Sequence, residues 1–363
     1  TYGVPHIYAD NYNDLFYAYG WSQMRNHGNL LLKLYAQARG QGAEYFGEKH
    51  LKSDQWVHTH NVMQRSRDWW EKQDPDIQKM MTAFTDGIND YAKENPDEID
   101  EINQLILPVR PEDCFSHFQR VILFHFVTNP GVATFNPASM IKDRGSNTWA
   151  IGPSRSESGN AMLIANPHLP WFDMFTWFEA HTISHDLNAY GAGLVGMPFL
   201  GIAFNDYMGW SHTNNVHDGQ DLYELTLKGD GYQWGEEVLQ FEERSVEIKV
   251  RDGEGNTSAS EFLIRESVHG PVVSEKDGNA YALRVVGLDQ PHVFRQYFDM
   301  ARAKTLKSFQ DAIRPLQNPF FTIMYADKDG HIMHVFWGRT PIRPAGDWNW
   351  LGFVPGVSPE TIW

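Results

Sequence analysis

The chain has 363 residues, of which 42% are hydrophobic and 21% charged, a composition typical of a folded globular protein with one large domain or two. The formal net charge is −16, and an acidic surface repels the phosphates of nucleic acids and anionic lipids, so we expect neither nucleic acid nor a membrane as a partner. The single cysteine, Cys114, excludes an internal disulfide bond.

Residues 1–128 are predicted to form a mainly helical region. Apolar and aromatic residues recur at helical spacing over residues 13–34 and again over residues 77–91. The second of these helices is expected to stop near Asn95-Pro96, since the residue before a proline disfavours helix. A third helix is predicted over residues 112–127.

Residues 129–145 show little periodicity and contain turn signals, which predicts a spacer or linker. After Gly145 the pattern changes to short apolar runs separated by turn residues, which predicts strands throughout residues 146–363 with one helix over residues 305–313. The strands are predicted over 147–151, 161–165, 177–183, 199–204, 222–227, 246–250, 282–286, 321–325 and 332–337. Helices followed by strands indicate an α+β fold.

A series of short motifs follows Gly145 in a fixed order. They are Gly145-Ser146-Asn147-Thr148-Trp149, Ala165-Asn166-Pro167-His168-Leu169-Pro170-Trp171, Gly191-Ala192-Gly193-Leu194, Gly196-Met197-Pro198 and Trp210-Ser211-His212-Thr213-Asn214. Together with Tyr2-Gly3-Val4-Pro5-His6 at the start and Asp327-Lys328-Asp329-Gly330 near the end, this order resembles the penicillin acylase family. The resemblance covers essentially the whole chain, and it is closest to the acyl-homoserine-lactone acylases.

The resemblance implies a four-layer αββα N-terminal-nucleophile hydrolase fold and a precursor that cuts itself between Gly145 and Ser146. Residues 1–128 would then belong to an α-chain and residues 146–363 to the start of a β-chain. The chain begins abruptly at Thr1 and ends abruptly at Trp363, so we expect a C-terminally truncated piece.

Ser146 is the nucleophile that the resemblance implies. A serine hydroxyl needs a base, and after cleavage the α-amino group of Ser146 would serve, because its reference pKa of about 7.7–8.0 leaves it partly neutral near neutral pH. Gly145 lacks a side chain, which would allow an unusual backbone geometry at the bond that is cut.

Two further catalytic positions come from the resemblance. The backbone amide of Asn214, four residues after Trp210, would stabilise the oxyanion, with a second donor, an asparagine side chain, expected beyond Trp363. His168 would orient the amine of Ser146, although a hydrogen-bonded structural histidine is the alternative.

A calcium site is also implied. Asp218 and Asp221, with the carbonyl of Gln220, match an Asp-x-x-Asp motif that binds structural calcium in the family, and Pro341 matches a carbonyl donor. Carboxylate and carbonyl oxygens suit Ca²⁺. The alternative is a solvated acidic turn. No organic cofactor is expected.

The apolar acyl pocket of the family corresponds to Leu169, Trp171, Leu194, Phe199 and Leu200. An aliphatic residue at Leu169 leaves room for an aliphatic acyl chain, so small-molecule N-acyl substrates, with acyl-homoserine lactones first, are expected. A penicillin, cephalosporin or lipopeptide acylase is one alternative, and a non-catalytic relative that only binds an apolar ligand is another. The resemblance further implies a self-derived α/β heterodimer in the periplasm or outside the cell.

Overall fold

A computed structural model of the protein describes residues 2–134 and 145–363. Helices occupy most of the first stretch, and strands are the main regular structure of the second, which is consistent with the α+β class. The helices are α1 Tyr12–Ala38, α2 Gly42–Phe46, α3 Leu51–Thr59, α4 Val62–Glu71, α5 Pro75–Glu94, α6 Glu101–Gln104, α7 Pro111–Phe118, α8 Val293–Arg302 and α9 Leu306–Ile313, and a π-helical segment covers Gln119–Val127. Single 3-10 turns cover Glu48–His50, Pro96–Glu98, Pro130–Thr134, Pro153–Arg155, Asp173–Phe175 and Pro359–Thr361.

The two long helices α1 and α5 cross at very short range. A Cβ atom at Gly20 of α1 would lie 2.0 Å from the carbonyl oxygen of Phe84, and one at Gly87 of α5 would lie 2.1 Å from that of Tyr17. Glycine at both positions therefore lets the backbones touch. The side chain of Asn11 accepts a hydrogen bond from the amide of Asp14 at 3.0 Å and caps the start of α1.

The strands form two large sheets and one hairpin within the described residues. They are β1 His6–Tyr8, β2 Ser146–Ile151, β3 Met162–Pro167, β4 Trp177–Ser184, β5 Leu187–Leu194, β6 Ile202–Asn205, β7 Met208–Thr213, β8 Gln220–Lys228, β9 Gly231–Trp234, β10 Glu237–Gln240, β11 Glu242–Arg251, β12 Thr257–Ser267, β13 Gly270–Lys276, β14 Asn279–Val285, β15 Thr322–Asp327, β16 Ile332–Phe336 and β17 Phe353–Pro355. The first sheet has the order β1-β4-β5-β6-β7-β15-β16.

This first sheet lies between helices and the β2–β3 hairpin. Successive side chains of a strand point to opposite faces. On β4, Phe178 is buried and its ring lies 5.7 Å from that of Tyr19 of α1. The neighbouring Glu179 instead lines a cleft with Leu163 of β3 on the other face. Helix α1 and the β2–β3 hairpin therefore lie on opposite faces of this sheet, and the four-layer arrangement stays a prediction.

The second sheet has the order β10-β9-β8-β14-β13-β12-β11, with β17 paired to β8. It has a small core of its own around Tyr223, Tyr232 and Val354. Its strands β11 and β12 form a long antiparallel ribbon from Glu242↔Glu266 to Arg251↔Thr257, and much of that ribbon is exposed.

Several predicted boundaries need correction. The predicted helix over residues 112–127 changes at Gln119 from α-helix to a π-helical segment, and the strand predicted over residues 199–204 begins only at Ile202. Most of the predicted spacer, residues 135–144, lies outside the described residues. Among the residues that are described, no helix has the length and apolar character needed to cross a membrane.

Candidate active site

Ser146 is the first residue of β2, and the register of the β2–β3 hairpin fixes its surroundings. It pairs with Pro167 of β3. The hydroxyl of Ser146 donates to the carbonyl oxygen of Gly145 at 2.7 Å and accepts from the amide of His168 at 3.1 Å. The hydroxyl thus lies beside the carbonyl of the bond that was predicted to be cut.

The contact between His168 and Ser146 runs through the backbone of the histidine. His168 follows the last residue of β3, where the strand pairing directs its amide at the serine oxygen. Its side chain is exposed. The predicted role of the imidazole in orienting the α-amino group is therefore untested by this arrangement and stays a prediction.

Space around Gly145 is open. A Cβ atom built at this position would meet no described atom within 4 Å. Steric crowding by the described residues therefore does not account for glycine before Ser146.

An apolar pocket that opens to solvent adjoins Ser146. Of the residues predicted for an acyl pocket, Leu169, Leu194 and Phe199 line it together with the predicted oxyanion residue Asn214. Its further walls are Phe118, Ile122, Phe126, Pro167, Trp177, Met197, Gly201, Ile202, His212, Thr213, Tyr297, Asn318 and Phe321. The pocket therefore brings the predicted nucleophile, oxyanion residue and apolar wall together.

Two residues predicted for the acyl pocket lie elsewhere. Trp171 follows the hairpin and is 96% exposed, so it does not contribute to the pocket wall. Leu200 is buried and faces a second apolar cavity. This cavity, here called the inner cavity, lies beneath the first sheet and is also lined by Leu15, Met81 and Phe298.

A pair of stacked rings separates the pocket of Ser146 from the inner cavity. Phe199 and Tyr297 line both spaces, and their rings lie almost parallel with centroids 4.2 Å apart. These two side chains form the wall between the spaces. The pocket of Ser146 therefore adjoins the inner cavity at one aromatic pair.

The polar groups at the base of the pocket form a short hydrogen-bonded chain. The amide of Asn318 donates to the hydroxyl of Tyr297 at 2.8 Å, and that hydroxyl lies 3.1 Å from Nε2 of His212. Burial lowers the pKa of His212 to about 4, so the imidazole is neutral at neutral pH and its Nε2 can accept from Tyr297. The base is therefore uncharged, as an apolar ligand requires.

Three of the residues predicted to bind calcium contact the side chain of Arg343 instead. Arg343 lies 2.9 Å from a carboxylate oxygen of Asp218 and 2.9 Å from one of Asp221, and it donates to the carbonyl of Gln220 at 3.4 Å. Pro341 lies two residues before this arginine. Across residues 2–134 and 145–363, no three His, Cys, Asp or Glu side chains come together as a metal-binding group. Calcium binding stays a prediction.

Most of the pocket wall was not predicted from the sequence. Phe118, Ile122 and Phe126 come from α7 and the π-helical segment, and Tyr297 and Asn318 come from α8 and the loop after α9. The i, i+4, i+8 spacing of the first three residues shows that they share one helical face. That spacing could have marked a pocket wall, whereas nothing local marks Tyr297 or Asn318.

Comparison with known proteins gives one family. The model of the family described as Penicillin amidase matches residues 1–363. The acyl-homoserine lactone acylase PvdQ of Pseudomonas syringae pv. syringae is 26% identical over 92% of this chain and 49% of its own length. The acyl-homoserine lactone acylase QuiP of Pseudomonas aeruginosa is 24% identical over 95% of the chain and 49% of its own length.

One solved structure supports the fold. The thermostable penicillin G acylase from Alcaligenes faecalis has a TM-score of 0.51 and 24% identity, over 58% of this chain and 38% of that one. The chain spans about half the length of the curated relatives it matches. The likeness therefore supports the fold of this chain and not the activity of the whole relatives.

Proposed function

Because the chain belongs to the penicillin amidase family, we propose that it carries the nucleophile and the acyl pocket of an amide hydrolase that deacylates small N-acyl compounds. One observation carries the proposal. Ser146 lines an apolar pocket together with Leu169, Leu194 and Phe199, and Asn214 lines the same pocket. A nucleophile, a candidate oxyanion donor and an apolar wall are the parts that acyl transfer requires.

The first step we propose is release of Ser146 as an N-terminal residue. Its hydroxyl already lies 2.7 Å from the carbonyl oxygen of Gly145. A rotation of the side chain would direct the oxygen at the carbonyl carbon. Attack there forms the C–O bond of an ester, breaks the C–N bond between Gly145 and Ser146, and transfers the hydroxyl proton to the nitrogen, and water then hydrolyses the ester. The products are a carboxylate on Gly145 and a free amine on Ser146.

In the second step the free amine acts as the base. It takes the proton of the Ser146 hydroxyl as the oxygen attacks the carbonyl carbon of the substrate amide, and it passes the proton to the departing amine. The acyl group remains on the serine as an ester until water releases it as an acid. The amide of Asn214 would donate to the oxyanion, and one such donor typically contributes about 3 kcal/mol to the transition state.

The shape and polarity of the pocket favour an aliphatic acyl group. Its walls are apolar, and its polar base of Tyr297, His212 and Asn318 is internally hydrogen bonded and uncharged at neutral pH. The relatives named as acyl-homoserine lactone acylases favour acyl-homoserine lactones as the substrate class. Export to the periplasm or beyond, and a self-derived α/β heterodimer, are part of the same proposal.

The experiment compares the full-length protein with Ser146→Ala and with Ser158→Ala, a matched control in the exposed loop after β2. Intact mass should show two fragments that meet between Gly145 and Ser146 in the wild type and the control, and one uncut chain in Ser146→Ala. Hydrolysis of acyl-homoserine lactones of several chain lengths should follow the same division.

Two outcomes would redirect the proposal. Cleavage with turnover of penicillins and none of acyl-homoserine lactones would move the substrate to β-lactams and leave the mechanism in place. An uncut wild-type chain without activity would refute the mechanism, and binding of an apolar ligand would then be the better account of the pocket.

A further inference from the structure

The β7–β8 loop and the first residues of β8, together called the acidic loop, carry Asp218 and Asp221, which already contact a cation of the protein itself. The guanidinium of Arg343 contacts Asp221 twice, from Nε to Oδ2 at 2.9 Å and from Nη2 to Oδ1 at 3.1 Å. The same Nη2 lies 2.9 Å from Oδ2 of Asp218 and donates to the carbonyl of Gln220 at 3.4 Å. These three residues are the ones whose oxygens matched a calcium-binding pattern.

The ion pair between Asp221 and Arg343 is largely buried and has further contacts on both sides. The side chain of Asp221 has no exposed surface, and that of Arg343 is only 15% exposed. The indole of Trp363 donates to Oδ2 of Asp221 at 2.6 Å, and the ring of Trp350 lies 5.4 Å from the guanidinium carbon. Both oxygens of Asp221 therefore have donors, and the arginine is held by charge on one side and by an aromatic face on another.

A calcium ion cannot share these oxygens with the guanidinium. Ca²⁺ binds oxygens at about 2.3–2.6 Å. An ion at that distance from Asp218, Gln220 and Asp221 would lie within a few ångströms of Arg343, and two cations so close repel strongly in a partly buried site. Occupation by one excludes the other.

We propose that Arg343 is the resident cation of this loop and that the protein holds it in place without calcium. The arginine ties the acidic loop to the segment after β16. Two further bonds join the same parts: Asn215 donates to the carbonyl of Trp337 at 2.8 Å, and Nε2 of His217 lies 3.1 Å from the hydroxyl of Thr340. The loop so anchored is the one that begins at Asn214.

The first test uses the full-length wild-type protein. Its metal content after dialysis against calcium is measured, and its thermal unfolding is followed with calcium, with EDTA and with neither. The proposal expects no stoichiometric calcium and the same Tm in all three buffers. Stoichiometric calcium, or a Tm that falls in EDTA, would overturn it.

Arg343→Met tests the cation itself, with Arg314→Met as the matched control because the side chain of Arg314 is 75% exposed. Loss of the guanidinium leaves Asp218 and Asp221 without their counter-charge, so Tm should fall in EDTA and rise again as calcium is added. The control should keep the wild-type Tm in both buffers. An Arg343→Met protein with the wild-type Tm in EDTA would refute the proposal.

Asp218→Asn keeps the test decisive if Arg343→Met does not fold. In a loop held by Arg343, this change leaves the Arg343–Asp221 pair intact, so the Tm stays independent of calcium. In a loop held by calcium, it removes a ligand, so the Tm falls and is restored only by a higher calcium concentration. The second result would contradict the role given to Arg343.

Discussion

Replacing Phe199 by alanine should lengthen the acyl chain that the proposed enzyme prefers. Phe199 and Tyr297 are stacked between the pocket of Ser146 and the inner cavity. Without the Phe199 ring the wall loses one of its two layers. An acyl chain that ends at the wall in the wild type could then continue into the space lined by Leu15 and Met81.

The size of the effect follows from the apolar surface that the longer chain buries. Each methylene that leaves water gains about 0.8 kcal/mol, so four additional methylenes gain about 3 kcal/mol. Since each 1.36 kcal/mol is a factor of ten, kcat/KM for a twelve-carbon chain should rise about two orders of magnitude relative to an eight-carbon chain. Loss of the ring should also lower the free energy of unfolding by about 3 kcal/mol.

The assay is hydrolysis of acyl-homoserine lactones with four to twelve carbons by Phe199→Ala, after circular dichroism has confirmed folding. Leu200→Ala is the matched control, because Leu200 faces the inner cavity without forming the wall. The control should keep the chain-length profile of the wild type. A Phe199→Ala profile parallel to the wild type would refute the reasoning that this wall sets the depth of the acyl pocket.

Two further predictions concern stability. Burial lowers the pKa of His117 to about 3, so below the unfolded pKa of about 6.5 the unfolded chain takes up a proton that the folded chain does not. The free energy of unfolding, measured by denaturant melts, should therefore fall between pH 7.0 and pH 5.5. The variant His117→Gln should reduce that fall by about 1 kcal/mol. Arg39 and Asp113 form a buried ion pair with two hydrogen bonds of 2.7 Å, so Asp113→Ala should lower the free energy of unfolding by about 3–5 kcal/mol in the same melts. Lys307→Ala breaks an exposed ion pair with Asp311 and should lower it by less than about 1 kcal/mol. If His117→Gln leaves the pH dependence of unfolding unchanged, or if Asp113→Ala and Lys307→Ala lower the free energy of unfolding equally, burial does not determine these effects.

Elements with strong local patterns were predictable from the sequence. The periodic helices α1 and α5 and the strands β2, β3, β15 and β16 lie where the pattern indicated, with ends shifted by a few residues. The strand β5 was missed because Gly191 and Gly193 have little preference for strands. Yet a Cβ at either position would lie 2.2 Å from a carbonyl oxygen of the neighbouring segment, so the packing requires glycine there.

The site was predictable only where its residues follow one another in a motif. Ser146, Leu169, Leu194 and Asn214 belong to motifs, Phe199 directly follows one, and all five line one pocket. Trp171 belongs to a motif as well, but it is exposed to solvent. Tyr297 lies in α8 and Arg343 in the segment after β16, and their roles depend on long-range packing, which no local pattern encodes.

The position of the nucleophile depends on packing that lies away from the chemistry. The hairpin of β2 and β3 rests on β7, where a Cβ at Gly209 would come within 3.2 Å of the side chain of Leu163. Ser146 is held at the pocket by the pairing register, and a slip of one residue would turn every side chain of β2 to the opposite face. The hydroxyl of Thr148 donates to the carbonyl of Ile164 at 2.7 Å and so adds a bond specific to that register. Substitutions at Gly209 or Thr148 should therefore lower activity by displacing Ser146, although neither residue lines the pocket.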